Sequence, residues 1–296
     1  MRLITRPSLD GVMCAVLLGI VEKPEQVIYA NPADIEDGSF KIQPGDFIAN
    51  LPYHSNAAAW FDHHDIAEAL PDALPNLKGK RGKAPSAARL IYDYYADSRL
   101  FKFSDILIET DRISAGDLTI DEVFEPSAWT LLSFTLDPYM GLSGFNDYAN
   151  IIVSGIRHGA TIDQLLDTSE VKGRIQRYLL DTEDFVQSIK EISRVEGNVL
   201  ISDARKLDIM PTGNRFLAFG LFPETNVQLA ITKHSKKNKV RVRLGKSIFN
   251  RTCNIRLGNL AAEFGGGGLA GAAGFLLDPD GADEKIAKII DLLKRR

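Results

Sequence analysis

Sulfur is scarce in this chain. Its 296 residues hold two cysteines, Cys14 and Cys253, far apart and in no Cys-x-x-Cys spacing, which leaves no disulfide framework and no redox motif. Long apolar runs are missing too, and none reaches the length of a membrane span. In place of a signal-peptide pattern, the first residues start directly with a strand-like Leu3-Ile4-Thr5. The expected compartment is the cytoplasm, with both thiols reduced. There is also no excess of positive charge. A formal net charge of −4 excludes a strong overall electrostatic drive to nucleic acid and leaves only local basic patches to meet phosphates. Lys78, Lys80, Arg81 and Lys83 form one such patch.

The length is enough for two cores of ordinary domain size. The stretch that organises them is Ala59-Trp60-Phe61-Asp62-His63-His64-Asp65, where an apolar run ends in two carboxylates and two imidazoles. Such a pattern is either an exposed polar strand terminus or a strand delivering metal ligands to its C-terminal end. Oxygen and nitrogen donors together suit Mn, Fe or Zn better than Ca or Mg, and strand C-termini are where α/β sheets bind ligands.

Upstream, residues 2–6 read as a buried strand, and Val12, Met13, Val16, Leu17 and Ile20 continue at helical spacing. Between them, Arg6-Pro7-Ser8-Leu9-Asp10-Gly11 puts Asp10 at a strand-to-helix junction, as a site residue or as a plain helix cap. Short apolar runs at 27–30, 46–51 and 57–61 add strands, and the mixture predicts an open, mostly parallel sheet. Residues 65–85, rich in Pro, Gly, Lys and Asp, are expected to form a mobile loop. Pro85-Ser86 opens a helix, and a further helical pattern carries Asp111.

From Ile162 to Ile192 the spacing predicts one long helix or two in tandem, with the domain boundary at Glu196-Gly197-Asn198. The expected domains are residues 1–196 and 197–296. After the boundary, 227–232 and 239–244 alternate as a hairpin, with Lys239, Arg241 and Arg243 on one face, a solvated edge or a phosphate-facing wall. A short helix then runs into Gly265-Gly266-Gly267-Gly268, either a helix stop or a place of close ligand approach, and an amphipathic helix closes the chain.

Taken in order, these pieces resemble a DHH phosphoesterase with a C-terminal DHHA1 domain over nearly the full length. Arg6 to Gly11 stands where that family has His-x-x-Asp-x-Asp-Gly, Asp62-His63-His64 is its name-giving motif, and Gly265 to Phe275 is similar to its GGGGH-x-x-A-A-G-F signature. Asn50-Leu51-Pro52-Tyr53, residues 84–89 and 214–217 resemble the branch labelled exopolyphosphatase-related. The resemblance implies an α/β fold: an N-terminal DHH domain with a mostly parallel sheet flanked by helices, and a smaller mixed α/β DHHA1 domain that binds the rest of the substrate over a cleft. In the family, two Mn ions generate a hydroxide and polarise a phosphoryl group. Substrates are short oligonucleotides, cyclic dinucleotides, nucleotide 3′-phosphates, pyrophosphate or polyphosphate. The expected catalytic residues are Asp10, Asp62, His63 and His64. Arg6, Arg251 and Gly265, Gly266, Gly267 and Gly268 are expected to bind substrate. No membrane partner is expected, and a homodimer is compatible with the pattern.

The chain departs from the family at defined positions. Arg6 replaces a ligand His, Ser8 the first Asp, Asn50 the bridging Asp of the second motif, and Leu269 the His that contacts substrate phosphate. Two divalent ions held close together repel, and anionic ligands offset that repulsion. The remaining donors, Asp10, His63 and Asp111, with Ser114 as the alternative alignment to Asp111, predict one Mn ion at most. Hydrolysis is expected to be weakened or lost, and the alternative is a non-catalytic nucleotide- or phosphate-binding protein.

Overall fold

The computed structural model describes residues 1–36, 38–64, 77–137, 144–208, 213–234 and 238–294. The described residues group into two compact units. One comprises Met1–His64, Pro126–Leu179 and the described part of Pro71–Asp117; the other comprises Leu118–Glu125 and the described part of Leu180–Arg296.

The first unit begins with β1 (Arg2–Thr5), α1 (Leu9–Val21), β2 (Gln26–Tyr29), α2 (Pro32–Glu36), β3 (Asp46–Ala49), β4 (Ala57–Asp62) and β5 (Lys78–Arg81). Its five strands pair in parallel in the order β2-β1-β3-β4-β5, the open parallel sheet that the short apolar runs predict. Helices α3 (Ala87–Tyr95) and α4 (Ser104–Ser114) follow in the same unit. Strand side chains alternate, so Leu3, Phe47, Ala49, Ala59 and Phe61 share one face. They pack on α1, which is buried at 11 of its positions from Leu9 to Gly19. An α/β sheet needs a helix with so little polar surface where a second helical layer covers the first.

Strand β5 corrects the reading of 65–85 as one loop. Residues 65–76 lie outside the described residues, but Lys78–Arg81 forms the edge of the sheet. Its polar side chains hide the strand in sequence because an edge strand is held by backbone pairing, and lysine there is compatible with solvent. Gly79 is fixed by close approach: a Cβ at that position, at φ +128°, would stand 2.0 Å from the Trp60 carbonyl oxygen.

Short helices α5 (Ile120–Phe124) and α6 (Ala128–Thr135) and the longer α7 (Phe145–Arg157) come next. The segment from Ile162 is two helices in tandem, α8 (Ile162–Leu166) and α9 (Ser169–Ile192). Strand β6 (Ser193–Glu196) follows at once and pairs antiparallel with β7 (Val199–Asp203), so sheet structure resumes at Ser193. The remaining elements are α10 (Phe216–Leu221), β8 (Val227–Lys233), β9 (Val240–Lys246), α11 (Leu257–Ala262), β10 (Gly267–Gly268), β11 (Ala272–Leu277) and α12 (Ala282–Lys294). They build a six-stranded mixed sheet of order β10-β11-β9-β8-β7-β6, with the β7/β8 pair parallel. Val199, Leu229, Val242 and Phe275 from this sheet close a second core with Leu257 of α11 and Ile289 of α12. Strand β9 lies between β11 and β8, so Arg241 and Arg243 sit on an interior strand and not on a sheet edge.

Among the described residues no helix is long and apolar enough to cross a membrane.

Candidate active site

The parallel sheet delivers its polar residues at the C-terminal ends of β1, β3 and β4. Asp62 ends β4, His63 and His64 follow it, Asn50 follows β3, and Arg6 and Ser8 lie between β1 and α1. Ser8 caps α1, its hydroxyl accepting from the Gly11 N–H at 3.2 Å. That overturns a cap role for Asp10 on its own helix. Asp10 is 3% exposed and caps a different one: its two carboxylate oxygens accept the Ala87 N–H at 3.0 Å and the Ala88 N–H at 2.8 Å, at the start of α3. Two backbone donors and the positive helix terminus stabilise this buried anion.

His63 faces it. Its Nε2 stands 3.6 Å from Asp10 Oδ2, and its Nδ1 is 3.1 Å from the Ala84 carbonyl oxygen. A carbonyl only accepts, so Nδ1 carries a proton, and in the neutral ring Nε2 turns its lone pair toward the carboxylate. Two acceptors at that separation ask for a proton or a cation, and a ligand histidine is commonly oriented by such a carbonyl. His64 Nδ1 lies 2.7 Å from Asp62 Oδ1. The buried carboxylate orients this ring through Nδ1. The two imidazoles are 4.3 Å apart, centroid to centroid.

Asp111 has other partners. Arg89 donates to it from Nε at 2.8 Å, with a further guanidinium nitrogen at 2.6 Å, and the Ser86 hydroxyl donates at 2.5 Å. Ser86 in turn caps α3, accepting from the Arg89 N–H. The ion pair thus steadies the helix start that holds Asp10. Ser114, the alternative alignment, is exposed at the end of α4. Among the described residues, no group of three or more His, Cys, Asp or Glu side chains is arranged to hold a metal. Asp10 and His63 come together; Asp111 does not join them as a third such donor.

Burial above all, and then the Asp10 carboxylate, push the Cys14 thiol well above its ordinary range. Its Sγ donates to Asp10 Oδ1 at 3.7 Å, a neutral contact beneath the anion. Asn50 is buried, adopts a left-handed backbone at φ 58°, and its Oδ1 has no hydrogen-bond partner among the described residues. A strained, orphaned polar group at a strand C-terminus is a mark of a functional site. Arg6 is half-buried.

In the second unit the glycine run has a packing role. Gly265, at φ +77°, lies in the turn after α11 and donates its N–H to the Ala262 carbonyl oxygen at 3.1 Å, and a Cβ on Gly266 would meet the Gly274 carbonyl oxygen at 2.2 Å. Arg251 is exposed and donates from Nε to the Ile248 carbonyl oxygen at 2.9 Å. Sequence reasoning missed the Ala87 and Ala88 amides and the Arg89 partner of Asp111. The Pro85-Ser86 helix start was the one available signal for them.

No family model and no curated protein sequence matches the chain. Solved structures do. The pGpG-specific phosphodiesterase PggH from Vibrio cholerae matches at 30% identity with a TM-score of 0.78, over 99% of this chain and 99% of that one. The chain belongs to the DHH/DHHA1 phosphoesterase family. Lower identity shows the same fold elsewhere. RecJ of Thermus thermophilus, solved in complex with Mn2+, matches at 13% identity and a TM-score of 0.57, over 100% of this chain and 52% of that one. The DHH domain of a protein described as a member of a family of ribosomal proteins matches at 11% and 0.57, over 99% of this chain and 86% of that one. In this chain the Asp62-His63-His64 segment meets Asp10, whose carboxylate lies 3.6 Å from His63.

Proposed function

We propose that the protein acts on the phosphodiester of a short linear nucleotide, at Asp10, Asp62, His63 and His64. The observation that carries this reading is the pairing of those four side chains at the end of β4, in a chain similar over its length to a pGpG-specific phosphodiesterase. In this reading residues 1–196 carry the chemistry, and residues 197–296, with Arg251 and the glycine run, hold the rest of the substrate.

The donor set does not fit two ions. Asn50 and Ser8 are neutral, Arg6 is cationic, and Asp111 is neutralised by Arg89. It fits one divalent ion at most, held by Asp10 and His63. A bound ion would polarise a phosphoryl oxygen and make water a better nucleophile. The chain's own groups do the rest. The Ala84 carbonyl keeps His63 in one tautomer, Asp62 orients His64, and His64 Nε2 exchanges a proton with the attacking or leaving oxygen. Arg6 supplies positive charge to a phosphoryl oxygen in place of the second ion. With fewer ions to stabilise the charge, hydrolysis is slower than in a member with the full ligand set.

A second reading is favoured by the Asp111–Arg89 pair and the neutral Asn50: a nucleotide-binding protein that no longer hydrolyses. One screen separates the two. Protein supplied with Mn or Mg is offered a linear dinucleotide, a cyclic dinucleotide, polyphosphate and a p-nitrophenyl phosphoester. Turnover of the linear dinucleotide that is lost in His64→Ala supports the enzyme, and binding without turnover supports the second reading. Consumption of polyphosphate with no binding of any nucleotide sinks both.

A further inference from the structure

Strand β5 and the residues just after it carry two cations, Arg81 and Lys83, among residues that contact Asp62 and His63. In the parallel register Arg81 is the partner of Asp62, so both side chains leave the same face of the sheet on neighbouring strands. The Asp62 carboxylate is taken by His64, and the Arg81 guanidinium lies 5.9 Å over the ring of Trp60. Past the strand, the Gly82 N–H donates to the Asp62 carbonyl oxygen at 3.2 Å, and the Ala84 carbonyl oxygen meets His63 Nδ1 at 3.1 Å. Lys83 sits between these two contacts, bracketed by the residues that fix the site. Both Arg81 and Lys83 are exposed, and neither forms an ion pair with a described residue. Lys78 on the same strand differs: it is tied to Glu22 and lies over the rings of Phe47 and Tyr95.

Charged side chains also protect sheet edges from pairing with other chains. That role accounts for Lys80, but it accounts neither for Lys83, which lies beyond the strand, nor for an arginine held over a buried tryptophan. An arginine guanidinium presents a fork of donors that matches a phosphate, and a nearby aromatic ring favours the cation. In a chain of net charge −4, two cations with no ion-pair partner among the described residues set a local field for an anion.

We propose that Arg81 and Lys83 form a subsite for a second phosphate of the substrate, distinct from the phosphodiester under attack. The preferred ligands are then short nucleotides that carry a terminal phosphate monoester. The inference rests on the nucleotide reading above, and its test keeps the two apart. Equilibrium binding is measured with a phosphorothioate-linked guanosine dinucleotide, with and without its 5′-phosphate. The parent should bind the phosphorylated probe about tenfold more tightly, the worth of one charge-assisted hydrogen bond. The Arg81→Ala/Lys83→Ala variant should bind both probes as weakly as the parent binds the unphosphorylated one, and Arg81→Lys should keep part of the preference. Melting curves matching the parent's confirm that these surface changes leave the fold intact. A parent that does not distinguish the probes, or a double variant that keeps the preference, overturns the subsite and leaves the nucleotide reading standing. A parent that binds neither probe overturns both.

Discussion

Asp10 holds two backbone amides of α3 in addition to facing His63, so its removal is a structural event as well as a functional one. Asp10→Ala leaves two buried N–H donors without an acceptor and should destabilise the protein by about 2–4 kcal/mol. Asp10→Asn keeps one acceptor oxygen and should cost less. Urea unfolding of both variants checks the order, and equal stability would mean that the amides find another partner. A second residue ties stability to pH. Arg99, through its side chain first and its backbone N–H second, holds the Asp97 carboxyl down to about 2. That lies below the unfolded value of about 3.9, so the contribution is present above about pH 4 and is lost as the pH falls toward 2. The urea midpoint of Asp97→Ala should trail the parent at pH 6 and meet it near pH 2. A gap that persists at pH 2 counts against this pairing.

Elements decide what the glycine run is for. Gly266 has no room for a side chain, since its Cβ would meet the Gly274 carbonyl oxygen at 2.2 Å and the Phe275 Cβ at 2.4 Å. Gly267, one residue on in β10, has nothing within 4 Å of that position. Gly266→Ala should therefore destabilise by more than about 2 kcal/mol through overpacking, whereas Gly267→Ala should stay within about 1 kcal/mol of the parent. If the run also lets substrate approach the backbone, Gly267→Ala will weaken dinucleotide binding without moving the melting temperature. Unchanged binding would reduce the run to the end of α11 and the turn into β11.

For the molecule as a whole, metal stoichiometry is the sharpest measure. Elemental analysis after loading and desalting should find no more than one divalent ion per chain, and His63→Ala should remove it. Two tightly held ions would contradict the donor count. Arg6→His, Ser8→Asp and Asn50→Asp together put the missing donor types at three positions and should admit a second ion, while each alone should do little, because an added carboxylate without its metal mostly adds repulsion. Ser8→Asp retains a capping residue type for α1, so the combined variant keeps a helix start. Failure of a well-folded triple variant to take up more metal would show that these positions do not face the ion.

Local pattern alone dictated the parallel sheet, the two cores and the family, because apolar periodicity and short motifs can be read in the chain itself: Phe61 before Asp62, and Val12 to Leu17 behind Asp10. It also raised the expectation that donors are replaced at Arg6, Ser8 and Asn50, since residue types are visible in the chain. What those residues touch was settled in three dimensions. Ser8 became the cap of α1, Asp10 the acceptor for amides of α3 that lie 77 and 78 positions away, and Asp111 the partner of Arg89. No spacing rule reaches such distances. Strand β5 was hidden for a related reason: an edge strand is selected by the backbone of its neighbour, and Lys78-Gly79-Lys80-Arg81 carries no apolar alternation to announce it. A buried carboxylate takes whichever donors the packed chain brings to it, and that choice is made by tertiary geometry after the local pattern is spent.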